Sequence, residues 1–189
     1  GACAGAAILV IPVDLAEWVG KASMPVAVAI AAIFAALAIA GSGPAGLCLA
    51  AQLAGVPQIR TMVVEPKLGP MEKGQADGIS VRSMEMFQAF GFAEKVKREA
   101  VWINETTFWA PGADAALARV ARVQDVPDGT SEMPHVLINQ ARVHDMFLDV
   151  MRHSPTRLAP DYGLKVIDLS VDPAAADHPV TVTLQHTVP

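Results

Sequence analysis

The chain has 189 residues, a formal net charge of −5, 52% hydrophobic residues and only 17% charged ones. So much apolar surface excludes an intrinsically disordered chain, and the acidic balance gives no broad electrostatic footprint for a nucleic-acid partner. Cys3 and Cys48 are too few for a disulfide framework and lack metal-ligand spacing, so we expect a cytoplasmic protein with no metal site.

The first feature along the chain is a stretch without charged side chains, between Lys21 and Arg60. Its most apolar part, residues 24–40, is slightly short of the roughly 20 residues that span a bilayer. It is read either as a membrane-spanning helix or as a buried parallel strand that leads into a glycine turn, and we favour the strand and no membrane contact. Residues 1–30 are expected to be an unassigned N-terminal extension.

A G-x-G-x-x-G motif, formed by Gly41, Gly43 and Gly46, follows this apolar stretch. The pattern predicts a helix from Ala45 to Ala54, with Pro44 in a first turn where its missing N–H loses no partner. A strand from Ile59 to Glu65 comes next and ends in an acid. Strand, glycines, helix, strand and acid in this order are typical of a nucleotide-binding βαβ unit.

Each part of this unit has a task in holding a nucleotide diphosphate. Gly41 permits the tight turn, Gly43 lets the backbone approach the pyrophosphate, and Gly46 lets the helix pack closely on the strand. The helix N-terminus offers free N–H groups and a positive dipole to the phosphates, and Glu65 can accept hydrogen bonds from a ribose diol. The alternative is a glycine turn in an ordinary α/β protein, with Glu65 on a solvated loop.

Several stretches then identify a closer likeness. In order they are GPAGL from Gly43, VVEPK from Val63, GQADGI from Gly74, WINETTFW from Trp102, RVQD from Arg122 and PHVLINQARVHD from Pro134. Together they resemble the FAD-dependent aromatic hydroxylases of the phenol 2-monooxygenase and 3-hydroxybenzoate 4-monooxygenase type. Members of that family are several hundred residues long, so the resemblance implies that this chain corresponds to an N-terminal portion only.

The resemblance also implies a fold and a division into domains. The fold is α/β, with a Rossmann-like FAD-binding βαβ unit and part of an antiparallel substrate-domain sheet, truncated. The FAD-binding segment is expected at residues 31–100 and partial substrate-domain strands at 101–133. The FAD-domain helix and the strands that follow it, incomplete, are expected at 134–189.

The activity implied by the resemblance is hydroxylation of a phenolic ring, of the 3-hydroxybenzoate or phenol class, through a flavin C4a-hydroperoxide. FAD is the cofactor, NAD(P)H and O2 are co-substrates, and a small aromatic molecule is the substrate. The protein groups orient and tune the cofactor. A homodimer is expected for the full-length protein. The alternative is a non-catalytic FAD- or nucleotide-binding fragment, because the family's later flavin motifs do not occur in this sequence.

Two residues are implied to act on the substrate. Asp77 matches the aspartate of the family's Q-A-D-G motif, where a carboxylate can accept the phenolic proton. Its alternative is a turn aspartate that caps a helix beginning near Ser80. His135, in the P-H-V-x-x-N-Q motif, is implied to donate a hydrogen bond to a substrate carboxylate or hydroxyl. Its alternative is a satisfied histidine at the start of a strand.

The same resemblance places a larger set of residues along FAD. They are Gly41, Gly43, Pro44, Ala45, Gly46, Glu65, Pro66, Lys67, Lys73, Gly74, Gln75, Ala76, Asp77 and Gln140. Gln140 is expected at the phosphate or ribose side, with a ligand-free position at a helix N-terminus as its alternative. Arg82 is assigned either to the pyrophosphate or to the surface.

The remaining elements follow from periodicity. Helices are predicted over Ser80–Phe90 and Phe92–Arg98, and Asn139 can cap a further helix with an apolar stripe at Val143, Met146, Phe147, Val150 and Met151. Strands are predicted over Asn104–Trp109, Leu117–Val123, Val166–Val171 and Val180–Leu184, the last two as a hairpin. Trp102 and Trp109 are expected to be packing residues, and His144 to be structural or exposed.

Overall fold

A computed structural model describes residues 36–112, 116–174 and 179–187 of the chain. The predicted extension at residues 1–30 and most of the apolar stretch at 24–40 lie outside these ranges. Within them, no helix combines the length and the apolar character needed to cross a bilayer.

The elements of the described ranges follow the predicted order closely. In chain order they are β1 (Ala36–Ala40), α1 (Pro44–Ala54), β2 (Arg60–Glu65), β3 (Gly78–Ile79), α2 (Val81–Ala89), α3 (Ala93–Glu99), β4 (Val101–Trp102), β5 (Glu105–Pro111), β6 (Leu117–Gln124), β7 (Val136–Leu137), α4 (Gln140–Arg152), β8 (Asp161–Tyr162), β9 (Leu164–Val171) and β10 (Val180–His186).

Of the residues that the structure describes, those from Ala36 to Met71 and from His144 onward form the first of two compact units. Its described sheet has the strand order β1-β2-β8, and both pairings are parallel. Because α1 connects β1 to β2, the predicted βαβ unit is present. Strands β9 and β10 pair antiparallel as the predicted hairpin.

Apolar runs in β1, α1 and β2 form the core of the first unit. Ile39, Leu47 and Val63 are at most 1% exposed, as expected for a parallel strand pair that is covered by a helix. Ala50 and Ala54 are fully buried, and their small side chains let α1 lie close to the sheet. The Gly41 turn is thereby placed at the carboxyl end of β1, where parallel sheets bind their ligands.

The second unit comprises residues 72–143. It contains a small antiparallel sheet of order β3-β7-β4 and an antiparallel hairpin of β5 and β6. Helices α2 and α3 bury Met84, Phe87, Phe92 and Val96, and the ring centroids of Phe87 and Phe92 are 4.8 Å apart.

Helix α4 crosses the division between the units, which falls after Val143. Its predicted apolar stripe is confirmed, because four of the five side chains are buried and Val150 is half-buried. The predicted cap is confirmed as well, since the Asn139 Oδ1 accepts a 2.8 Å hydrogen bond from the Ala141 N–H.

The expectation that Trp102 and Trp109 are packing residues is wrong. Their side chains are 47% and 60% exposed, and the Trp102 indole N–H donates a 3.1 Å hydrogen bond to the Lys97 carbonyl. Trp109 lies in the β5–β6 hairpin, where Phe108 and Leu117 are also exposed. Alternation of residue types predicts a strand, but it does not say whether either face of that strand is covered.

Candidate functional site

The glycine turn that follows β1 has the geometry that a nucleotide site needs. Gly41 has a φ of +103°, a left-handed conformation that favours glycine, and its N–H donates a 2.8 Å hydrogen bond to the Val64 carbonyl. Gly46 faces this turn from α1, where an added Cβ would lie 2.1 Å from the Gly41 carbonyl oxygen. The first and third glycines of the motif therefore hold turn and helix together.

The N-terminus of α1 carries backbone donors that the helix itself does not use. Its first intrahelical hydrogen bond runs from the Leu47 N–H to the Gly43 carbonyl, at 2.9 Å. The N–H groups of Ala45 and Gly46 precede this bond and have no acceptor within the helix. Gly43 supplies no capping side chain, and the first turn contains no acidic residue. This end of the helix is therefore suited to a phosphate.

Glu65 ends β2 and joins the turn to the second strand. The residue is 9% exposed, and Oε2 of its carboxylate accepts hydrogen bonds from the Ser42 N–H and hydroxyl, at 2.8 and 2.9 Å. At Oε1 it accepts one from the Lys67 N–H at 3.1 Å. A carboxylate oxygen has about two acceptor sites, so Oε1 keeps capacity for a ribose hydroxyl.

The same contacts keep the carboxylate charged. Burial raises the pKa of the Glu65 carboxyl, but the hydrogen bonds from Ser42 and Lys67 and the Lys67 charge outweigh it, so that the net pKa lies below the usual range. An ionised acceptor makes stronger hydrogen bonds to hydroxyl donors than a neutral one. The segment after Glu65 is held in place as well, since the Pro66 carbonyl accepts from the Thr187 hydroxyl and the Lys67 carbonyl from the Gly163 N–H.

Two side chains with buried polar atoms, His144 and Tyr162, lie near Glu65, and the sequence did not mark them as site residues. Tyr162 is the register partner of Glu65 in the neighbouring strand, and burial, followed by the charges of Glu65 and Asp145, raises the pKa of its phenol. His144 is 3% exposed, which excludes the exposed alternative for it. Within the described residues, neither ring nitrogen of His144 nor the Tyr162 hydroxyl meets hydrogen-bond geometry.

The burial of His144 predicts a pH dependence of folding. Burial lowers the pKa of its imidazole against the opposing influence of Asp145, Glu65 and the Ser42 backbone. A folded-state pKa below the ordinary 6.5 means that the unfolded chain binds more protons as the pH falls. The stabilisation is therefore complete above pH 6.5 and decreases below it, by at most about 1.4 kcal/mol per pH unit.

When the pH is lowered from 7.5 to 5.5, we expect the free energy of unfolding to decrease less in His144→Gln than in the unchanged chain. Urea unfolding at both pH values measures this decrease. His153→Gln is the matched control, because His153 is exposed just after the end of the same helix. Equal losses in the unchanged chain and in His144→Gln would contradict the expectation.

In the second unit, the loop before β3 is attached to the start of α4. The Gln75 N–H donates a 2.8 Å hydrogen bond to the Gln140 Oε1, and a Cβ on Gly74 would lie 2.6 Å from the Gln140 Cβ. Gln140 therefore orders the loop that contains Lys73, Ala76 and Asp77, and its side-chain NH₂ group remains available as a donor.

Asp77 lies in this loop with an exposed side chain. Its carbonyl accepts a 2.8 Å hydrogen bond from the N–H of Ile138, the residue after β7, and this bond anchors the Asp77 backbone. The capping alternative is not what the structure shows, since Ser80 occupies the N-cap position of α2 and no side chain caps that helix. The Arg82 side chain is 90% exposed and pairs with Glu85 at 3.0 Å, which is the surface alternative.

His135 precedes β7 and is paired with an acid that the sequence did not mark as a site residue. Its Nδ1 lies 2.6 Å from the Asp125 Oδ2. Its Nε2 lies 3.8 Å from the position that a Cβ would take on Gly78, the residue after Asp77. In the second unit, Asp77 and His135 therefore each precede one strand of the antiparallel pair of β3 and β7, and the His135 ring reaches Gly78.

The residues present fit FAD in both units taken separately. The first unit offers the turn, free amides and an ionised carboxylate with spare acceptor capacity, which match a pyrophosphate and a ribose. The second offers Gln140 and the ordered loop from Lys73 to Asp77. Asp125 belongs to the RVQD stretch, but the sequence does not show that it pairs with His135, and no motif marks Tyr162, whose neighbour Glu65 is distant in the chain.

Comparison with known proteins agrees with this geometry. The model of the FAD binding domain family matches residues 35–162. The 3-hydroxybenzoate 4-monooxygenase of Comamonas testosteroni is 60% identical over 149 residues, which are 78% of this chain and 23% of that protein. A phenol 2-monooxygenase of Aspergillus fumigatus is 27% identical over 152 residues, 78% of this chain and 24% of that protein.

Solved structures share the fold. The p-nitrophenol 4-monooxygenase of Pseudomonas putida superposes with a TM-score of 0.64 at 20% identity, covering 82% of this chain and 37% of that one. The flavin-dependent monooxygenase PieE, in complex with FAD and substrate, gives 0.62 at 22% identity, covering 80% and 26%. The chain spans about a quarter of the length of the curated relatives that it matches. It belongs to the FAD binding domain family, which confirms the predicted α/β fold and FAD as the cofactor.

Proposed function

We propose that this chain is part of a flavin-dependent monooxygenase that hydroxylates a phenolic ring of the 3-hydroxybenzoate or phenol class, with NAD(P)H and O2 as co-substrates. The observation that carries the proposal is the exposed Asp77 carboxylate, held on an anchored backbone beside the His135 strand. The 60% identity to the 3-hydroxybenzoate 4-monooxygenase of Comamonas testosteroni supports the same substrate class.

In this proposal FAD supplies the redox chemistry and the protein residues bind and orient it. FAD, when bound, supplies the hydride acceptor for NAD(P)H and the activation of O2. Glu65 and the amides of Gly43, Ala45 and Gly46 hold the ribose and the diphosphate, with Pro44 presetting the helix turn between them. Pro66 and Lys67 extend this contact surface, and Gln140 supports the loop from Lys73 to Asp77 by accepting a hydrogen bond from the Gln75 N–H.

Asp77 acts on the substrate in this proposal. Its carboxylate accepts the proton of the phenolic hydroxyl, which makes the ring electron-rich and more reactive toward an electrophilic oxygen. A carboxylate within hydrogen-bond reach of the hydroxyl can act as this general base. His135 binds the hydroxyl or a ring carboxylate of the substrate through Nε2 and fixes the orientation of the ring.

The experiment uses a hybrid in which this chain replaces the matched stretch of the Comamonas testosteroni relative. We expect the hybrid to bind FAD and to couple NAD(P)H oxidation to hydroxylation of 3-hydroxybenzoate or another phenol. Asp77→Asn should lower kcat by about 100-fold or more with FAD affinity unchanged, because a positioned base contributes 10²–10⁴. Asp172→Asn, at an exposed position directly after β9, is the control. A hybrid that binds FAD and turns over no phenol would contradict the proposal.

A second candidate is a non-catalytic FAD- or nucleotide-binding fragment. The observation in its favour is that the chain spans only about a quarter of its curated relatives. Titration of the 189-residue chain with FAD separates the two: binding without any NAD(P)H oxidation by the chain or the hybrid supports the fragment, and turnover by the hybrid supports the enzyme.

The remaining expectations are proposals on the grounds given by the sequence. A small aromatic molecule is the substrate, the longer protein forms a homodimer, and the cytoplasm is the location. The domain limits at residues 31–100, 101–133 and 134–189 are proposals of the same kind.

A further inference from the structure

The pair of Asp125 and His135 has the geometry of an oriented histidine. Asp125 follows the end of β6 and His135 precedes β7, and the Oδ2–Nδ1 distance is 2.6 Å. Their side chains are 16% and 33% exposed. This separation is a hydrogen-bond distance between an imidazole nitrogen and a carboxylate oxygen.

Asp125 is itself held at two further points. Its second oxygen, Oδ1, accepts a 3.1 Å hydrogen bond from the Thr106 hydroxyl, and its N–H donates to the Asn104 carbonyl at 3.0 Å. The carboxylate plane is therefore set by contacts that do not involve the histidine. The His135 carbonyl accepts from the Ile103 N–H at 2.9 Å, which anchors the other end of the pair.

This arrangement decides which ring nitrogen carries the proton. An ionised carboxylate only accepts hydrogen bonds, so the Nδ1 facing it must be protonated. Nδ1 is a donor in the imidazolium and in one of the two neutral tautomers, so Asp125 selects that tautomer. In both protonation states Nε2 is then the nitrogen left for another partner, and it lies beside Gly78 and the Asp77 loop.

We propose that Asp125 is a positioning residue for the proposed hydroxylation: it fixes the ring plane and the tautomer of His135, so that Nε2 is presented to the substrate beside Asp77. The inference rests on the proposed function. Asp125 has no contact with the substrate in this scheme and acts only through the imidazole.

The substitution Asp125→Asn tests the inference, because the amide keeps the shape of the carboxylate and can turn its NH₂ group toward Nδ1. We expect ¹⁵N NMR of the histidine-labelled chain to show a protonated Nδ1 from pH 6 to pH 9. In Asp125→Asn the neutral ring should instead carry its proton on Nε2. In the hybrid enzyme, kcat/KM should decrease at least about tenfold, as found when a partner that orients a functional histidine is removed.

Two further variants separate positioning from folding. Asp128→Asn is the matched control, since the Asp128 carboxylate lies nearby in the chain but accepts from the Gln124 amide rather than from His135. In this variant the tautomer of His135 should be unchanged, and kcat/KM should stay within twofold of the parent. Thr106→Val removes one support of Asp125 and should lower kcat/KM by a few fold while Nδ1 stays protonated. It replaces Asp125→Asn if that variant does not fold.

The outcomes distinguish this inference from the proposed function. An unprotonated Nδ1 in the unchanged chain, or a kcat/KM of Asp125→Asn within twofold of the parent, would overturn the positioning role and leave the hydroxylase proposal standing. A hybrid without substitutions that shows no turnover, together with a protonated Nδ1, would overturn the hydroxylase proposal. The orientation of His135 by Asp125 would still be supported.

Discussion

Replacing Gly46 with alanine is expected to disrupt the nucleotide-binding unit. The new Cβ would lie 2.1 Å from the Gly41 carbonyl oxygen and 3.4 Å from the Ile39 Cγ2. The atom in the way is backbone, so no side-chain rotation relieves the clash. In an open helix the same change would gain about 1 kcal/mol, but overpacking typically costs 1–3 kcal/mol or more. We expect the free energy of unfolding to decrease by about 2–3 kcal/mol, together with loss of FAD binding.

Gly55 provides a matched control at the other end of the same helix. It caps α1 with a φ of −78°, and an added Cβ would make an ordinary 3.4 Å contact with the Gln52 carbonyl oxygen. Gly55→Ala should therefore leave stability unchanged or raise it by about 0.4–1 kcal/mol. Urea unfolding of both variants gives the comparison, and a Gly46→Ala chain as stable as Gly55→Ala would contradict the packing role of Gly46.

Replacing Glu65 with alanine is expected to have the largest effect on the cofactor. The change removes the acceptor of the buried Ser42 N–H and hydroxyl and of the Lys67 N–H, and it removes the ionised acceptor proposed for the ribose. Hydrogen bonds to a charged group contribute about 1.5–3 kcal/mol each, and 1.4 kcal/mol is tenfold in affinity. We expect FAD to bind at least about 100-fold more weakly.

Two comparisons make the Glu65 result specific. Glu65→Gln keeps the size of the side chain but turns one acceptor into a donor that faces N–H groups, so it should weaken FAD binding nearly as much. Glu94→Gln, at the exposed start of α3, removes a charge without a ligand role and should change the affinity less than twofold. Fluorescence titration with FAD measures all three, and an affinity of Glu65→Ala close to that of the unchanged chain would contradict the assignment.

The first unit was predictable from sequence because its contacts are local or follow a known order. Glycines, an apolar run and an acid at the end of the second strand specify the βαβ unit through backbone geometry alone. The apolar stripe of α4 was predictable for the same reason, since helical period decides which of its residues share a face.

The parts that sequence missed depend on partners far apart in the chain. Asp125 was part of a recognisable motif, but only the fold brings it to His135. The hydrogen bonds that Glu65 accepts from Ser42 likewise could not be predicted from the spacing of the two residues in the sequence. His144 and Tyr162 became notable only through burial beside Glu65, and the exposed Trp102 and Trp109 were misjudged because large aromatic residues are usually buried.

The most direct test of the central claim is a titration of the ¹⁵N-labelled chain with ADP, which contains the adenosine and the diphosphate of FAD, followed through its backbone amides. If the diphosphate binds at the end of β1, the largest shifts occur at Gly43, Ala45 and Gly46 and at the amides that contact Glu65, and they vanish in Glu65→Ala. Saturable chemical-shift changes at other amides, absent from this turn and unchanged in Glu65→Ala, would contradict the account.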